Sequence, residues 1–414
     1  MNRIYSGKYY FYIEYYTYIK KNDESVLILN TLDNQKIVSN DVRILTLVES
    51  MLCKKDNVLE IDFDNIYHDE FYQSFFEDIR NIFMGDLIEV NLSNGAPVNF
   101  YPIAKIEDNF RKKDNHALLG HDTLCNSLFN LNIFLNAACT QHCANCANYY
   151  KQFHCCSKFL TENDSLSIDP IVIEKIFKYS KFENLNKINI LGGNIALYKD
   201  IDRILPYLSD YKEKCFAVFK YNNIDSINAE ILSFFDNRIV IIVDAAEIDA
   251  HDVDRLISDY HQFEIHIVAT DELQLKKMMP LFSASISYRL VPFYNGNNLA
   301  FFENNVFLCE EDIFEANYTI KKIHKNQLIN NGFFGNLTVL PDGNVFIDMN
   351  GSFLGNLQSE SILNIISKAL KNEDSLWFKT RKTTTCSDCL FVDLCPPVSS
   401  YELAIGKYNL CNVN

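Results

Sequence analysis

Basic residues are in short supply in this chain: 38 lysines and arginines stand against 54 aspartates and glutamates in 414 residues, giving a formal net charge of −16. A surface built for nucleic acid needs clustered Lys and Arg, so that function class is excluded; short basic runs such as Arg111-Lys112-Lys113 and Lys321-Lys322 read as solvated faces. No run of about 18 apolar residues is present, so the expectation is no membrane span. The opening segment MNRIYSGKYYFYIEYYTYIKK lacks the uninterrupted apolar stretch of an export leader and alternates as a strand does. A soluble, cytoplasmic protein is expected. Thirteen cysteines, an odd number without an export signal, argue against a disulfide framework and point to metal.

What is present is enough apolar residue, 48%, to bury two or three domains. Residues 127–295 repeat one unit, an apolar β-rich run followed by a segment of helical spacing. The strands are read at 127–135, 186–191, 215–221, 238–244, 263–270 and 285–293, with Asp or Ser capping several intervening helices. Continuous apolar strands alternating with amphipathic helices predict a parallel sheet with right-handed crossovers, and six units suit a partial barrel. Before it, residues 1–105 read as four small strands, KYYFYIEYYTYIK, SVLILNT, QKIVS and DLIEVNL, with two helices, the first capped by Ser39 or Asn40. This pattern is winged-helix-like. Residues 106–124 read as a linker. Residues 296–414 hold a hairpin turned by Pro341-Asp342-Gly343-Asn344, a helix capped by Ser359 or Ser361, and a cysteine-bearing tail.

The cysteines are clustered. Five lie within 22 positions, in LNAACTQHCANCANYYKQFHCC (135–156), just where the first barrel strand ends. In parallel α/β folds the carboxyl ends of the strands carry the ligand sites. Cys139, Cys143 and Cys146 form C-x3-C-x2-C: three thiolates on one loop can hold three corners of a [4Fe–4S] cluster and leave the fourth iron open. Zinc is the alternative, with His142 or His154 as fourth ligand, although structural zinc usually takes paired C-x2-C knuckles. Cys155 and Cys156 fall outside this spacing and read as loop packing. Cys386, Cys389, Cys395 and Cys411 form a second set, C-x2-C-x5-C-x15-C, whose spacing suits zinc or iron–sulfur equally. Cys53, Cys125, Cys215 and Cys309 sit singly in apolar surroundings and read as buried small hydrophobes.

C-x3-C-x2-C after the first strand of a partial barrel resembles the radical S-adenosylmethionine (SAM) enzymes. The resemblance implies a cluster whose open iron is chelated by SAM, and a 5′-deoxyadenosyl radical that abstracts hydrogen from the substrate. Gly192-Gly193-Asn194 after the second strand looks like that family's Gly-Gly-Glu segment beside the SAM amino group, with Asn in place of the usual Glu. Asp244, ending the fourth strand, is placed by the resemblance near the SAM ribose, and serves equally as a helix cap. The terminal set resembles a SPASM extension, implying one auxiliary [4Fe–4S] cluster on Cys386, Cys389, Cys395 and Cys411. Asp348 and Ser399 stand where ligands of a second auxiliary cluster are usual, so that cluster is expected to be lost. Residues 1–105 are similar to the recognition element that binds precursor-peptide leaders. The expectation is therefore an α/β protein: a partial (β/α)6 barrel (125–295) with an N-terminal winged-helix-like domain and a C-terminal cysteine-rich SPASM-like domain (296–414). It would act as a peptide maturase, with a precursor peptide and an external electron donor as partners and no catalytic side chain identified. The rival is a degenerate, non-catalytic partner that presents the peptide.

Overall fold

A computed structural model describes residues 5–54, 58–93, 95–97, 120–156, 166–280 and 286–413. Most of the segment read as a linker, 106–119, and its basic run lie outside them; residues 121–125 form a short helix.

The N-terminal region holds six strands: β1 (Lys8–Ile13), β2 (Thr17–Lys21), β3 (Val26–Asn30), β4 (Lys36–Ser39), β5 (Val58–Asp62) and β6 (Gly85–Glu89). They form two three-stranded antiparallel sheets, ordered β5-β1-β6 and β2-β3-β4. The single strand expected over KYYFYIEYYTYIK is thus two, one in each sheet, broken where Thr17 N bonds back to Glu14 O. β5 is additional to the strands expected from sequence. Helices Val42–Leu52 and Glu70–Asn81 send Leu47, Val48, Phe76 and Ile79 into one core with Phe11, Ile28 and Ile61. The first helix is capped by Asp41, whose carboxylate accepts from Arg43 N, and not by Ser39 or Asn40. Ser39 instead accepts from Asp41 N, one step outside the helix.

The central region carries β7 (Asn130–Phe134), β8 (Lys187–Leu191), β9 (Cys215–Lys220), β10 (Ile239–Asp244), β11 (Glu264–Ala269) and β12 (Tyr288–Pro292). All are parallel and in sequential order, each pair joined by a crossover helix. Asp169, Asn228, Asp249 and Asp271 cap four of these helices. In β7 to β11 every second residue, such as Leu131, Ile133, Ile188, Ile190, Ile239 and Ile241, packs into the helix-side core. The intervening residues face the other side, and there β7 and β8 are polar: Asn189 donates to Asn132 (2.8 Å), and Asn132 donates to Thr338 (3.1 Å).

Thr338 belongs to β13 (Asn336–Val339), which pairs parallel with β7, so the C-terminal region continues the barrel's own sheet. β14 (Asn344–Phe346) and β15 (Phe353–Asn356) follow antiparallel and complete nine strands. The Pro341–Asn344 turn forms as expected, with Gly343 at φ +83°, a conformation that disfavours a Cβ. Ser361 caps the following helix by accepting from Asn364 N. The outer face of β2-β3 is seated on the cysteine tail: Tyr18, Leu27 and Leu29 pack with Tyr318, Leu390, Phe391 and Leu394, and the Tyr18 hydroxyl donates to Asp393 (2.7 Å). Cys125 and Cys215 are buried as expected, but Cys53 is exposed and Cys309 half-buried. Both lie at helix ends, Cys53 as a C-cap and Cys309 as an N-cap, where the chain meets solvent.

Candidate metal and cofactor site

β7 ends at Phe134, and the chain enters the loop carrying Cys139, Cys143 and Cys146, all three half-buried. Cys146 opens a one-turn helix, Cys146–Tyr149. The Gly192-Gly193-Asn194 segment leaving β8 is zipped against the start of this loop. Gly193 N donates to Asn136 O (2.9 Å), Asn194 N to Ala138 O (2.6 Å), and Asn136 Nδ2 to Asn194 O (2.9 Å). The glycines are required by this contact: a Cβ on Gly193 would lie 2.3 Å from Ala138 O, and one on Gly192 2.5 Å from Asn136 Oδ1. The Asn194 side chain is buried and engaged internally, accepting from Ala196 N (3.0 Å) and donating to Ser226 (3.0 Å).

Hydrogen-bond donors surround the sulfurs. Cys139 Sγ accepts from Gln141 N (3.4 Å) and from Asn223 Nδ2 (3.7 Å), which belongs to the turn after β9. Cys143 faces the Lys220 ammonium at the carboxyl end of β9; burial pushes its thiol up to about 11, and Lys220 opposes that rise. Lys220 is itself 2% exposed and paired with Glu247 at 2.6 Å. Burial alone would lower the pKa of this ammonium, but hydrogen bonds to Cys143 and Glu247 raise it, so it stays charged. Asp244 ends β10; it accepts from Ala246 N (3.0 Å) and from the buried Tyr149 hydroxyl. Burial and the Asp244 charge raise the Tyr149 pKa, so the phenol keeps its proton. Cys155 and Cys156 are buried, 3.8 Å apart at sulfur, among Phe134, Tyr149 and Phe293 on the inner face of the sheet.

The terminal cysteines converge electrostatically. Burial pushes the Cys395 thiol up to about 12, Arg381 opposes this, and the charges of Cys389, Cys411 and Cys386 add to it. Arg381 staples the segment: it pairs with buried Glu402 (2.9 Å), donates to Tyr408 O (2.9 Å) and to Pro396 O, and lies 4.0 Å from Cys386 Sγ. Ser399 caps the helix Ser400–Ile405, and Asp348 accepts from Ser400 (2.7 Å). Asp348 and Ser400 line one cleft with His154, Asn132 and Thr338.

The donor set, three thiols on one loop and four in the C-terminal tail, is of the kind that holds iron–sulfur clusters or zinc. A tetrahedral zinc with Zn–S near 2.3 Å requires sulfurs roughly 3.8 Å apart. Among the described residues only Asp249, His251 and Asp252 bring three ligand-type atoms within 4.8 Å of one another, and Asp249 and Asp252 are engaged in a helix capping box. A cluster gives each thiolate its own iron, so its sulfurs stand farther apart than those around a single zinc ion. Sequence reasoning missed Lys220, Glu247, Asn223, Tyr149 and Arg381. The signal for Lys220 was a lone cation ending an otherwise apolar strand, CFAVFK.

The fold and site thus define a mixed α/β protein with a large, mainly parallel sheet and a thiol-bearing loop at the carboxyl end of β7. No family model matches the chain and no curated protein matches it. Among solved structures it is similar to Streptococcus suis SuiB bound to precursor peptide SuiA, with 12% identity and a TM-score of 0.48 over 96% of this chain and 98% of that one. SuiB bound to S-adenosylmethionine matches with 13% identity and a TM-score of 0.40, over 96% and 98% of the two chains. SuiB alone matches with 12% identity and a TM-score of 0.39, over 96% and 97%. Among the described residues no helix is long and apolar enough to cross a membrane.

Proposed function

We propose that this chain is a radical SAM enzyme that modifies a ribosomally made precursor peptide. The observation that carries this reading is the loop of Cys139, Cys143 and Cys146 at the carboxyl end of β7, its sulfurs faced by Asn223 and Lys220, with a Gly-Gly segment packed against its base. Cys139, Cys143 and Cys146 would hold a [4Fe–4S] cluster, and Cys386, Cys389, Cys395 and Cys411 an auxiliary one. The bound cofactors supply the hydrogen-abstracting radical. The chain's own residues orient them: Lys220 offsets thiolate charge, Gly192 and Gly193 bring the β8 loop into contact with the cysteine loop, and Asp244 holds the Tyr149 hydroxyl beside it.

Residues 1–105 would bind the leader as an added strand. β4 supports this: it pairs only with β3 among the described strands, none of its residues is fully buried, and Val38 beside its end is 46% exposed. One observation favours the non-catalytic alternative. The Asn194 amide, at the position the resemblance gives to SAM, is occupied by Ala196 and Ser226. Anaerobic purification followed by iron, sulfide and zinc analysis tests the cofactor assignment. About eight irons per chain with matching sulfide are expected, falling by about half when Cys139, Cys143 and Cys146 are all replaced by Ala. Zinc without iron or sulfide would overturn the proposal.

A further inference from the structure

A buried ion pair is poor stabilisation: the desolvation cost offsets most of the attraction, and a well-packed apolar pair of similar volume serves as well or better. One such pair, Arg381 with Glu402, stands beside the terminal cysteines, and a buried lysine paired with an exposed carboxylate stands beside the first set. Lys220 (2% exposed) is held by Glu247 at 2.6 Å and points its ammonium at Cys143. Arg381 (9%) is held by Glu402 (2%) at 2.9 Å and lies 4.0 Å from Cys386 Sγ. Lys220 ends β9, with Val218 and Phe219 buried just before it, and its ammonium lies 5.9 Å from the centre of the buried Tyr149 ring. Asn222 Nδ2 also donates to the same Glu247 oxygen that Lys220 holds (3.4 Å). A buried cation therefore stands between a carboxylate that reaches solvent and a half-buried thiol, and water screens the carboxylate more than the cation.

We propose that Lys220 is a positioning residue that sets the reduction potential of the centre on Cys139, Cys143 and Cys146, with Glu247 moderating its charge. This deepens the proposed function and rests on its iron–sulfur assignment. Adding an electron makes a thiolate-bound centre more negative. A fixed cation beside one of its sulfurs stabilises that state, and the carboxylate partly offsets the cation. The two charges therefore act with opposite sign on one observable, which a loss of packing cannot imitate.

The test is an EPR-monitored reductive titration of anaerobically reconstituted protein, in a Cys386→Ala/Cys389→Ala background so that only the first centre is read. Lys220→Met is expected to lower the ratio of reduced to oxidised centre at a fixed poise by at least tenfold. Lys220→Arg should restore most of it, and Glu247→Gln should raise it severalfold. If Lys220→Met does not accumulate, Glu247→Gln and Lys220→Arg decide the matter by sign. Ratios unchanged from the parent, or moving the same way in Lys220→Met and Glu247→Gln, would overturn the inference. A parent that binds no iron–sulfur centre would instead overturn the proposed function.

Discussion

Replacing Gly193 by Ala tests whether the glycine pair is there to seat the cysteine loop. Its Cβ would lie 2.3 Å from Ala138 O, 2.7 Å from Ala138 C and 2.8 Å from Ala137 O, all backbone atoms that no side-chain rotation can move. Relief requires segments 136–138 and 192–194 to separate, loosening the Gly193 N to Asn136 O and Asn194 N to Ala138 O bonds. Two hydrogen bonds at about 1 kcal/mol each, with overpacking of roughly 1–3 kcal/mol, put the cost at about 3–5 kcal/mol. For a chain of this length the unfolding entropy is on the order of 0.9 kcal/mol/K, so a melt would shift by only ~3–6 °C. Denaturant titration is the more sensitive assay. Gly192→Ala should cost less, because its nearest neighbour is the Asn136 side chain. Gly120→Ala is the control, since a Cβ there would meet nothing within 4 Å and its φ is ordinary. The Gly193 variant should also take up less iron. Equal stability and iron uptake in Gly193→Ala and Gly120→Ala would refute the reasoning.

Arg381→Met should destabilise the C-terminal region by about 3–5 kcal/mol, because it strands a 2%-exposed Glu402; adding Glu402→Met should recover part of that loss, read from denaturant midpoints. His154 is exposed to solvent along the cleft; the protein crowded around it, with the charges of Lys187, His266 and Arg289, lowers its pKa to about 4. Its folded pKa lies below the unfolded value near 6.5, so the unfolded chain binds the extra proton between those limits. Stability contributed by neutral His154 is therefore present above pH 6.5 and lost as pH falls toward 4, and His154→Phe should flatten the dependence of melting temperature on pH across that window. Tyr18→Phe should weaken the seat of β2-β3 on the cysteine tail by roughly 1–2 kcal/mol, seen as faster proteolysis between the two regions.

The six barrel strands were legible because their apolar residues are dense and their helices start at Asp or Asn caps. The polarity of the inner face was not. Asn132 and Asn189 sit among Leu and Ile in sequence, and only the register of β7 with β8 and β13 makes them a hydrogen-bonded ladder. The same pairing joins β13 to the barrel, across 206 residues, where sequence showed only a hairpin. The N-terminal region was undercounted because KYYFYIEYYTYIK alternates without a turn residue, so its break between two sheets carried no local signal. At the site, cysteine spacing was visible, but Glu247 and Asn223 are polar residues in loops that only the fold brings to Lys220 and Cys139.

Formation of 5′-deoxyadenosine from SAM is the most direct test of the central claim. Anaerobically reconstituted, iron-replete protein would be given SAM and a strong one-electron reductant, with Cys143→Ala in parallel. The account predicts 5′-deoxyadenosine from the parent and its loss in the variant. No product from the parent, with a candidate precursor peptide present, would contradict it and leave the peptide-presenting role as the function of this chain.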